Sequence, residues 1–290
     1  MDKLARKRIL FYYDNYCGAH SRGGTEVATS RIARALKDFE DCEVFNAYMR
    51  RKDATPDDIY KETIKLPHNR KGFIKTLSEF IRANEIDYVV NMGRFFRHKR
   101  LEDAIQKSGR DAKLLFMHHF APGSEKKKTT YRAAWHLFKL NPANPLYWLR
   151  ITFYPLVKLP RRLSWRKIYR KVYEQSSGIV LLSKGYVADY KKIAGIEDED
   201  KFVAIPNIFD CPARENVEEK EKRVLILSRM DEIQKRITLA LQIWKKIESH
   251  EELKDWRLDI VGTGHDMKAV RRMAGKLGLE RAEFHGWQDS

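Results

Sequence analysis

The stretch Val224–Arg236, VLILSRMDEIQKR, sets how the rest of the chain is read. Val224–Leu227 is a short apolar run, long enough for a buried strand and too short for a core helix. Ser228 and Arg229 break it, polar Met230–Gln234 carries the chain out as a loop, and Lys235 follows Arg229 by six residues, just before a helical pattern over Ile237–Ile247. Two cations at the carboxyl end of a buried strand, beside a helix start, stand where open α/β sheets bind ligands. They suit a diphosphate, with Arg229 as a fork and Lys235 as a point charge. Both also read as ordinary solvated loop residues, so the surrounding sequence has to choose.

Working outward, the helix is followed by a strand at Leu258–Val261, the loop Gly262-Thr263-Gly264, a helix over 266–277, and a strand at Ala282–His285 that runs into Gly286. Residues 210–222, DCPARENVEEKEK, are polar and aperiodic and mark a domain linker. Upstream, Arg8–Tyr13 reads as a first buried strand, and a loop ending in Gly23-Gly24 leads into a helix over Thr25–Leu36. Strand, glycine loop and helix start form the arrangement that cradles phosphate, because unpaired amides and the helix dipole face the anion. The spacing is neither the dinucleotide fingerprint nor a Walker loop, and a turn needing positive φ explains Gly-Gly as well.

Glu43–Tyr48 is a second strand, Lys71–Asn84 an amphipathic helix, Asp87–Met92 a buried strand, Lys99–Ser108 a helix, and Lys113–Met117 a strand running into His118 and His119. Ser177–Leu182, Gly185–Ala194 and Phe202–Ile205 continue as strand, helix and short strand closed by Pro206-Asn207. This alternation predicts a parallel, doubly wound sheet, with the histidine pair on the same rim as Gly23-Gly24.

At 290 residues, two domains are the better expectation. Three scattered cysteines without a CxxC argue for a reducing compartment and against a zinc site. The basic amino terminus has no apolar stretch with a cleavage site, and no run approaches about 20 apolar residues, so neither a signal peptide nor a membrane span is expected.

The net charge of +17 is unevenly spread. Lys126–Lys171 holds 13 Lys/Arg and no Asp or Glu, while the remainder has 44 basic against 40 acidic residues. The segment 124–174 interleaves these cations with Tyr131, Trp135, Phe138, Tyr147, Trp148, Phe153, Tyr154, Trp165 and Tyr169. Three readings fit: a peripheral membrane surface, a nucleic-acid surface, or a solvated helical insertion packed on its own domain. The membrane reading is preferred, and no nucleic-acid module signature accompanies the segment.

The blocks Gly23-Gly24 with its helix, the strand ending at His118, LLSKGYVADY before IPNIFD, LSRMDEIQKR, LDIVGTG and AEFHGW together resemble glycosyltransferase family 4, the retaining nucleotide-sugar enzymes of GT-B fold. The resemblance implies two Rossmann-like domains facing a cleft: 1–209, with the insertion at 124–174, and 223–290 beyond the linker. It implies that Arg229 and Lys235 grip the donor diphosphate as charge grows on the leaving group, a form of electrostatic catalysis. Gly23 and Gly24 would let the backbone approach the distal phosphate and acceptor. His118 resembles the histidine that touches the transferred sugar, with His119 as its alternative. Asn207, Gly262 and Gly264 would join the donor site, and Gly286, Trp287 and Gln288 would lie beside the base. A UDP- or GDP-sugar is the expected substrate, with no metal and no other cofactor.

The family's second domain continues past the equivalent of Ser290 to a pair of glutamates that hold sugar and ribose. The expectation is therefore an incomplete donor domain that binds nucleotide weakly and turns over poorly. Family members that build surface polysaccharide or glycolipid use lipid-linked acceptors, which gives the cationic segment a use. Lys126, Lys127, Lys128, Trp135, Trp148, Arg161, Arg162 and Trp165 are expected to meet anionic membrane and border the acceptor, placing the protein in the cytoplasm on the inner membrane face. The expected partners are thus nucleotide-sugar, a glycan or polyprenyl-linked acceptor and anionic lipid, without nucleic acid. The rivals are a nucleotide-sugar epimerase of the same architecture and a non-catalytic partner subunit.

Overall fold

The computed structural model describes residues 6–21, 23–39, 41–50, 58–127, 131, 135, 138, 145–208 and 220–288, the side chains of 126, 127, 147, 150, 154, 155 and 157–162 excepted. The expected linker lies largely outside the described residues. The chain forms two compact units, Met1–Ser124 with Leu156–Asp210, and Glu125–Pro155 with Cys211–Ser290.

In the first unit the chain runs β1 (Lys7–Tyr12), α1 (Gly24–Lys37), β2 (Cys42–Tyr48), β3 (Glu62–Lys65), α2 (Arg70–Ala83), β4 (Tyr88–Asn91), α3 (His98–Ser108) and β5 (Lys113–His118). The segment Glu125–Pro155, which belongs to the second unit, carries most of α4 (Ser124–Lys127) and all of α5 (Pro145–Thr152), and the first unit resumes with α6 (Tyr154–Gln175), β6 (Gly178–Leu181), α7 (Gly185–Ala194) and β7 (Phe202–Ala204). The seven strands are all parallel in the order β3-β2-β1-β4-β5-β6-β7. Strand order reverses between β1 and β4, whose register pairs Tyr12 with Asn91. The crevice at such a reversal is where parallel α/β sheets take ligands.

Strand alternation divides the core. Leu10, Tyr12, Val89 and Leu114 pack against Phe73, Leu77 and Ile81 of α2 and Leu101 of α3. Phe11, Val90 and Met117 of the opposite face meet Ala33 of α1. The period-3.6 pattern of α2 buries Phe73, Leu77 and Ile81 completely, each contributing roughly 1.5–3 kcal/mol. Asn69 caps that helix, its side chain accepting from the Gly72 amide at 2.7 Å.

The second unit carries β8 (Arg223–Leu227), α8 (Glu232–Lys235), α9 (Ile237–Glu248), β9 (Arg257–Val261), α10 (Met267–Leu277) and β10 (Ala282–Gly286), with a parallel sheet ordered β10-β9-β8. One face of this sheet, through Ile226, Leu258, Ile260 and Phe284, packs on Leu241 and Trp244 of α9 and Val270 of α10. The expectation of a buried strand at Val224–Leu227 needs correction: Leu225 and Leu227 are 60 and 72% exposed. Both helices cover the Ile226 side, and β8 lies at the sheet edge with β9 as its one neighbour among the described residues, so alternate residues face out. Sequence reading also passed over β3, whose ETIK alternates polar residues and holds the outer edge of the large sheet.

Candidate functional site

At the β1/β4 reversal the chain leaves β1 through Asp14. Its carboxylate accepts from Tyr12 Oη at 2.8 Å, pairs with the Arg94 guanidinium, and faces Arg97 Nε at 3.8 Å. Arg94 also lies over the Tyr13 ring, 5.5 Å from its centroid. The loop bearing Arg94 is fixed from beneath. Asn91 Oδ1 accepts from the Arg94 amide at 2.9 Å, and its Nδ2 donates to the Arg94 carbonyl at 3.1 Å. Asn91 Nδ2 also meets His98 Nδ1 at 3.0 Å, and Ser176 Oγ meets His98 Nε2 at 3.0 Å. Burial pushes the His98 pKa down to about 3, so the ring is neutral and acts as a brace.

Gly23 precedes α1 without a side-chain cap, as the glycine loop requires. The space beside Gly23 is not open, however. Glu26 folds back so that its carboxylate fills the space of a Cβ on Gly23, and Asn15 Nδ2 donates to Glu26 Oε1 at 2.8 Å. The helix start thus carries a carboxylate of its own, which the dipole favours. Around Gly24 the space is open.

The two histidines separate by strand alternation. His118, the last residue of β5, sits among Phe95, Phe116, Tyr169 and Tyr190, with ring centroids 5.2–6.4 Å away. His119, 8% exposed, has neither ring nitrogen in a well-formed hydrogen bond. Burial pushes its pKa down to about 4, with the neighbouring Asn207 side chain working the other way. The His119 imidazole is therefore neutral and buried just past the carboxyl end of β5. Of the pair, His118 is enclosed by rings and His119 is the one beside predicted Asn207.

In the second unit the predicted residues gather on one rim. Met230 N donates to Thr263 O at 3.0 Å, and Gly262 N to Gly286 O at 2.6 Å, so the loops after β8, β9 and β10 are tied together. Gly262 has φ +123°, and a Cβ there would collide with the Ser228 carbonyl; one on Gly264 would collide with the Met230 backbone. These glycines are therefore needed for the close crossing of the Arg229 loop, rather than solely for a ligand's approach. Asp231 caps α8, and the buried Glu232 carboxylate accepts from the Thr238 amide at 3.0 Å and hydroxyl at 2.5 Å, opening α9. On this fixed turn Arg229 and Lys235 are exposed, Arg229 donating to Gln234 Oε1 at 2.8 Å and lying 3.4 Å from Asp231. Gln288 Nε2 donates to His285 O at 3.2 Å, and Trp287 is half-exposed.

Asp231, His265 and Asp266 cluster closely enough to share an ion, as do Asp259, Glu283 and His285. The first group's carboxylates already receive the Gln234 and Glu232 amides, and Asp259 accepts from His285 at 2.7 Å and from Arg223 at 3.2 Å. The His285 hydrogen bond, with Arg223 adding to it, holds the Asp259 pKa below the ordinary carboxylate range.

Of the residues expected at a membrane, Trp135 and Trp148 are 41 and 55% exposed, and Leu146, Leu149 and Phe153 of the same unit are exposed too. Trp165 is half-buried, its ring against Phe95, Phe96 and Tyr169, so much of it serves packing. Lys128 and the side chains of Lys126, Lys127, Arg161 and Arg162 lie outside the described residues. Among the described residues no helix is long and apolar enough to cross a membrane.

Sequence reading missed Asp14, Glu26, Arg94 and Arg97. Asp14 directly follows an apolar strand and Arg94 follows Asn91-Met92-Gly93 at a strand's end, which is the available signal. Their pairing across 80 residues of chain is visible only in the fold.

No protein-family model matches the chain, and comparison with curated proteins finds no match. Among solved structures, it is similar to WaaG, a glycosyltransferase involved in lipopolysaccharide biosynthesis, at 17% identity and TM-score 0.54, over 97% of this chain and 70% of that one. It is similar to a point mutant of Staphylococcus aureus TarM, solved in complex with fondaparinux, α-GlcNAc-glycerol and UDP, at 10% identity and TM-score 0.65, over 97 and 78%. A UDP-N-acetylglucosamine 2-epimerase matches at 8% identity and TM-score 0.51, over 98 and 70%. The shared fold is GT-B, built here from a seven-stranded and a three-stranded parallel sheet, each Rossmann-like.

Proposed function

We propose that this protein is a retaining glycosyltransferase of family 4 type that moves a sugar from a UDP- or GDP-sugar to a glycan or polyprenyl-linked acceptor at an anionic membrane surface. The observation that carries the reading is the turn Ser228–Arg236. Asp231, Glu232, Gly262 and Gly264 hold it rigid, while Arg229 and Lys235 stay exposed at the carboxyl end of β8. Cations fixed in place need no reorganisation as charge builds on a departing diphosphate. Arg229 supplies two donors and Lys235 a point charge; Gly286–Gln288 on the same rim suit the base, and His119 suits a sugar hydroxyl in place of the enclosed His118.

Acceptor delivery rests on α5 and the residue that follows it, where Leu146, Trp148, Leu149 and Phe153 are exposed in a segment rich in Lys and Arg. Such a surface suits the headgroup region of anionic lipid, with the protein peripheral on the inner face. The fold likeness to a 2-epimerase favours one second reading, in which the bound nucleotide-sugar is isomerised and no acceptor is used.

The test is calorimetric titration with UDP, GDP and their sugars, followed by product analysis with and without lipid-linked acceptor. Nucleotide binding lost in R229Q and K235Q supports the donor site. Product that appears with acceptor omitted supports the epimerase, and no nucleotide binding in the wild type removes both readings.

A further inference from the structure

Five cations surround the β1/β4 reversal: Arg70, Arg94, Arg97, Lys99 and Arg100. Among the described residues three carboxylates answer them. Asp103 takes Arg70 at 2.9 Å and Lys99 at 2.5 Å; Glu102 takes Lys99 at 2.9 Å; Asp14 takes Arg94 and, at 3.8 Å, Arg97. Among the described residues the group keeps an excess of two positive charges. Arg97 and Arg100 carry it, since Arg97 has that one long ion pair and Arg100 donates to a neutral acceptor, the His68 carbonyl at 3.3 Å. Arg100 also lies over the Phe73 ring at 5.9 Å. Burial pushes its pKa below that of an ordinary guanidinium, the neighbouring Arg97 and Arg70 add to this, and Tyr12 and Asp14 work against it.

Crowding cations costs stability unless something anionic repays it, and surface arginines are usually free to swing apart. Here the backbone that carries them is fixed. Asn91 clamps the Arg94 backbone, His98 and Ser176 brace Asn91, and the short helical turn Phe95–Arg97 leads directly into α3. Two guanidinium groups carried on this fixed segment, beside the topological reversal of a parallel sheet, suit a phosphate dianion, to which a guanidinium can donate twice.

We propose that Arg97 and Arg100, with Arg94 and Asp14 fixing their loop, form a phosphomonoester site in the first unit, which holds the phosphate of a phosphorylated acceptor. The acceptor role rests on the transferase reading above; the phosphate site does not.

The experiment follows thermal unfolding of the full chain against inorganic phosphate at constant ionic strength, with acetate as the monoanion control. The background carries R229Q and K235Q, which removes the cations of the second unit. Phosphate is expected to raise the midpoint and acetate not to. Adding R97Q and R100Q should weaken apparent phosphate affinity at least about tenfold, the loss of one charge-assisted hydrogen bond. This pair leaves Arg94–Asp14 intact; should it nevertheless fail to fold, R97K with R100K keeps the charge, loses the fork and is expected to weaken phosphate binding measurably.

A phosphate response abolished by R229Q and K235Q alone, or one unchanged by the substitutions at Arg97 and Arg100, overturns the site. Glucose 6-phosphate competing for the site identifies a soluble phosphorylated acceptor. Phosphatidylcholine vesicles doped with phosphatidic acid, bound through Arg97 and Arg100, identify a lipid one; competition by neither overturns the acceptor role. If wild-type protein takes phosphate through these arginines yet binds no nucleotide-sugar, the transferase reading falls while the site stands.

Discussion

Gly262 and Ser228 meet backbone to backbone: a Cβ on the glycine would overlap the serine carbonyl oxygen. With φ +123°, Gly262 occupies a conformation that side chains resist, so both strain and overlap oppose substitution. Gly262→Ala is expected to destabilise the second unit by about 2–5 kcal/mol in chemical denaturation and to weaken nucleotide binding through displacement of Arg229. Gly275, inside α10 with open space around its Cα, is the control. Gly275→Ala should stabilise by about 0.5–1 kcal/mol. Equal effects at the two positions would show that the backbone crossing is not what the glycine serves.

Arg229 and Lys235 are exposed, and Arg229's partners, Asp231 and Gln234, keep other hydrogen bonds. R229Q and K235Q should therefore leave folding stability within about 0.5 kcal/mol while lowering UDP- or GDP-sugar affinity at least about tenfold each. Calorimetric titration beside a thermal melt separates the two quantities. A fall in stability that matches the fall in affinity would mean that the cations hold the turn together.

Two buried histidines set an acid limit on stability. His98 and His119 have pKa values pushed by burial to about 3 and about 4, against about 6.5 in the unfolded chain. Above pH 6.5 neither state binds the proton and stability is full. As pH falls from 6.5 towards 4 the unfolded state takes up protons that the folded state refuses, and each ring costs about 1.4 kcal/mol per pH unit. His119→Gln should flatten the slope of unfolding free energy over pH 4–6.5 by about one proton. An unchanged slope would mean that His119 is protonated while folded.

Much of this fold is legible in the residues because burial and periodicity agree. Lys71–Asn84 reads as a helix since Phe73, Leu77 and Ile81 must share one face, and Arg70–Ala83 is helical. Single-face burial defeats the same logic at Val224–Leu227: four apolar residues look like a buried strand, yet only the Ile226 side is covered. The glycines of the second unit are legible as backbone necessities, but their partner, the Ser228–Met230 backbone, is not. His118 and His119 differ by one residue, and only the pleat shows which enters the aromatic cluster. The Asp14–Arg94 pair is a tertiary fact between two loops, and no local spacing announces it.

The outward face of β8 gives the last prediction. Leu225 and Leu227 are exposed on a strand whose second edge has no neighbour among the described residues. Unpaired backbone groups beside exposed leucines form a template for another strand. Leu225→Lys with Leu227→Lys puts charge on that face without touching Ile226, which packs on the other side. The double variant should keep its unfolding free energy within about 0.5 kcal/mol, and sedimentation velocity should show less self-association than in the wild type at equal concentration. Strand edges are a backbone feature, so Leu225→Pro should act the same way by removing one amide. Undiminished association in both variants would place the sticky surface elsewhere, with the exposed leucines and tryptophan of α5 as the next candidates.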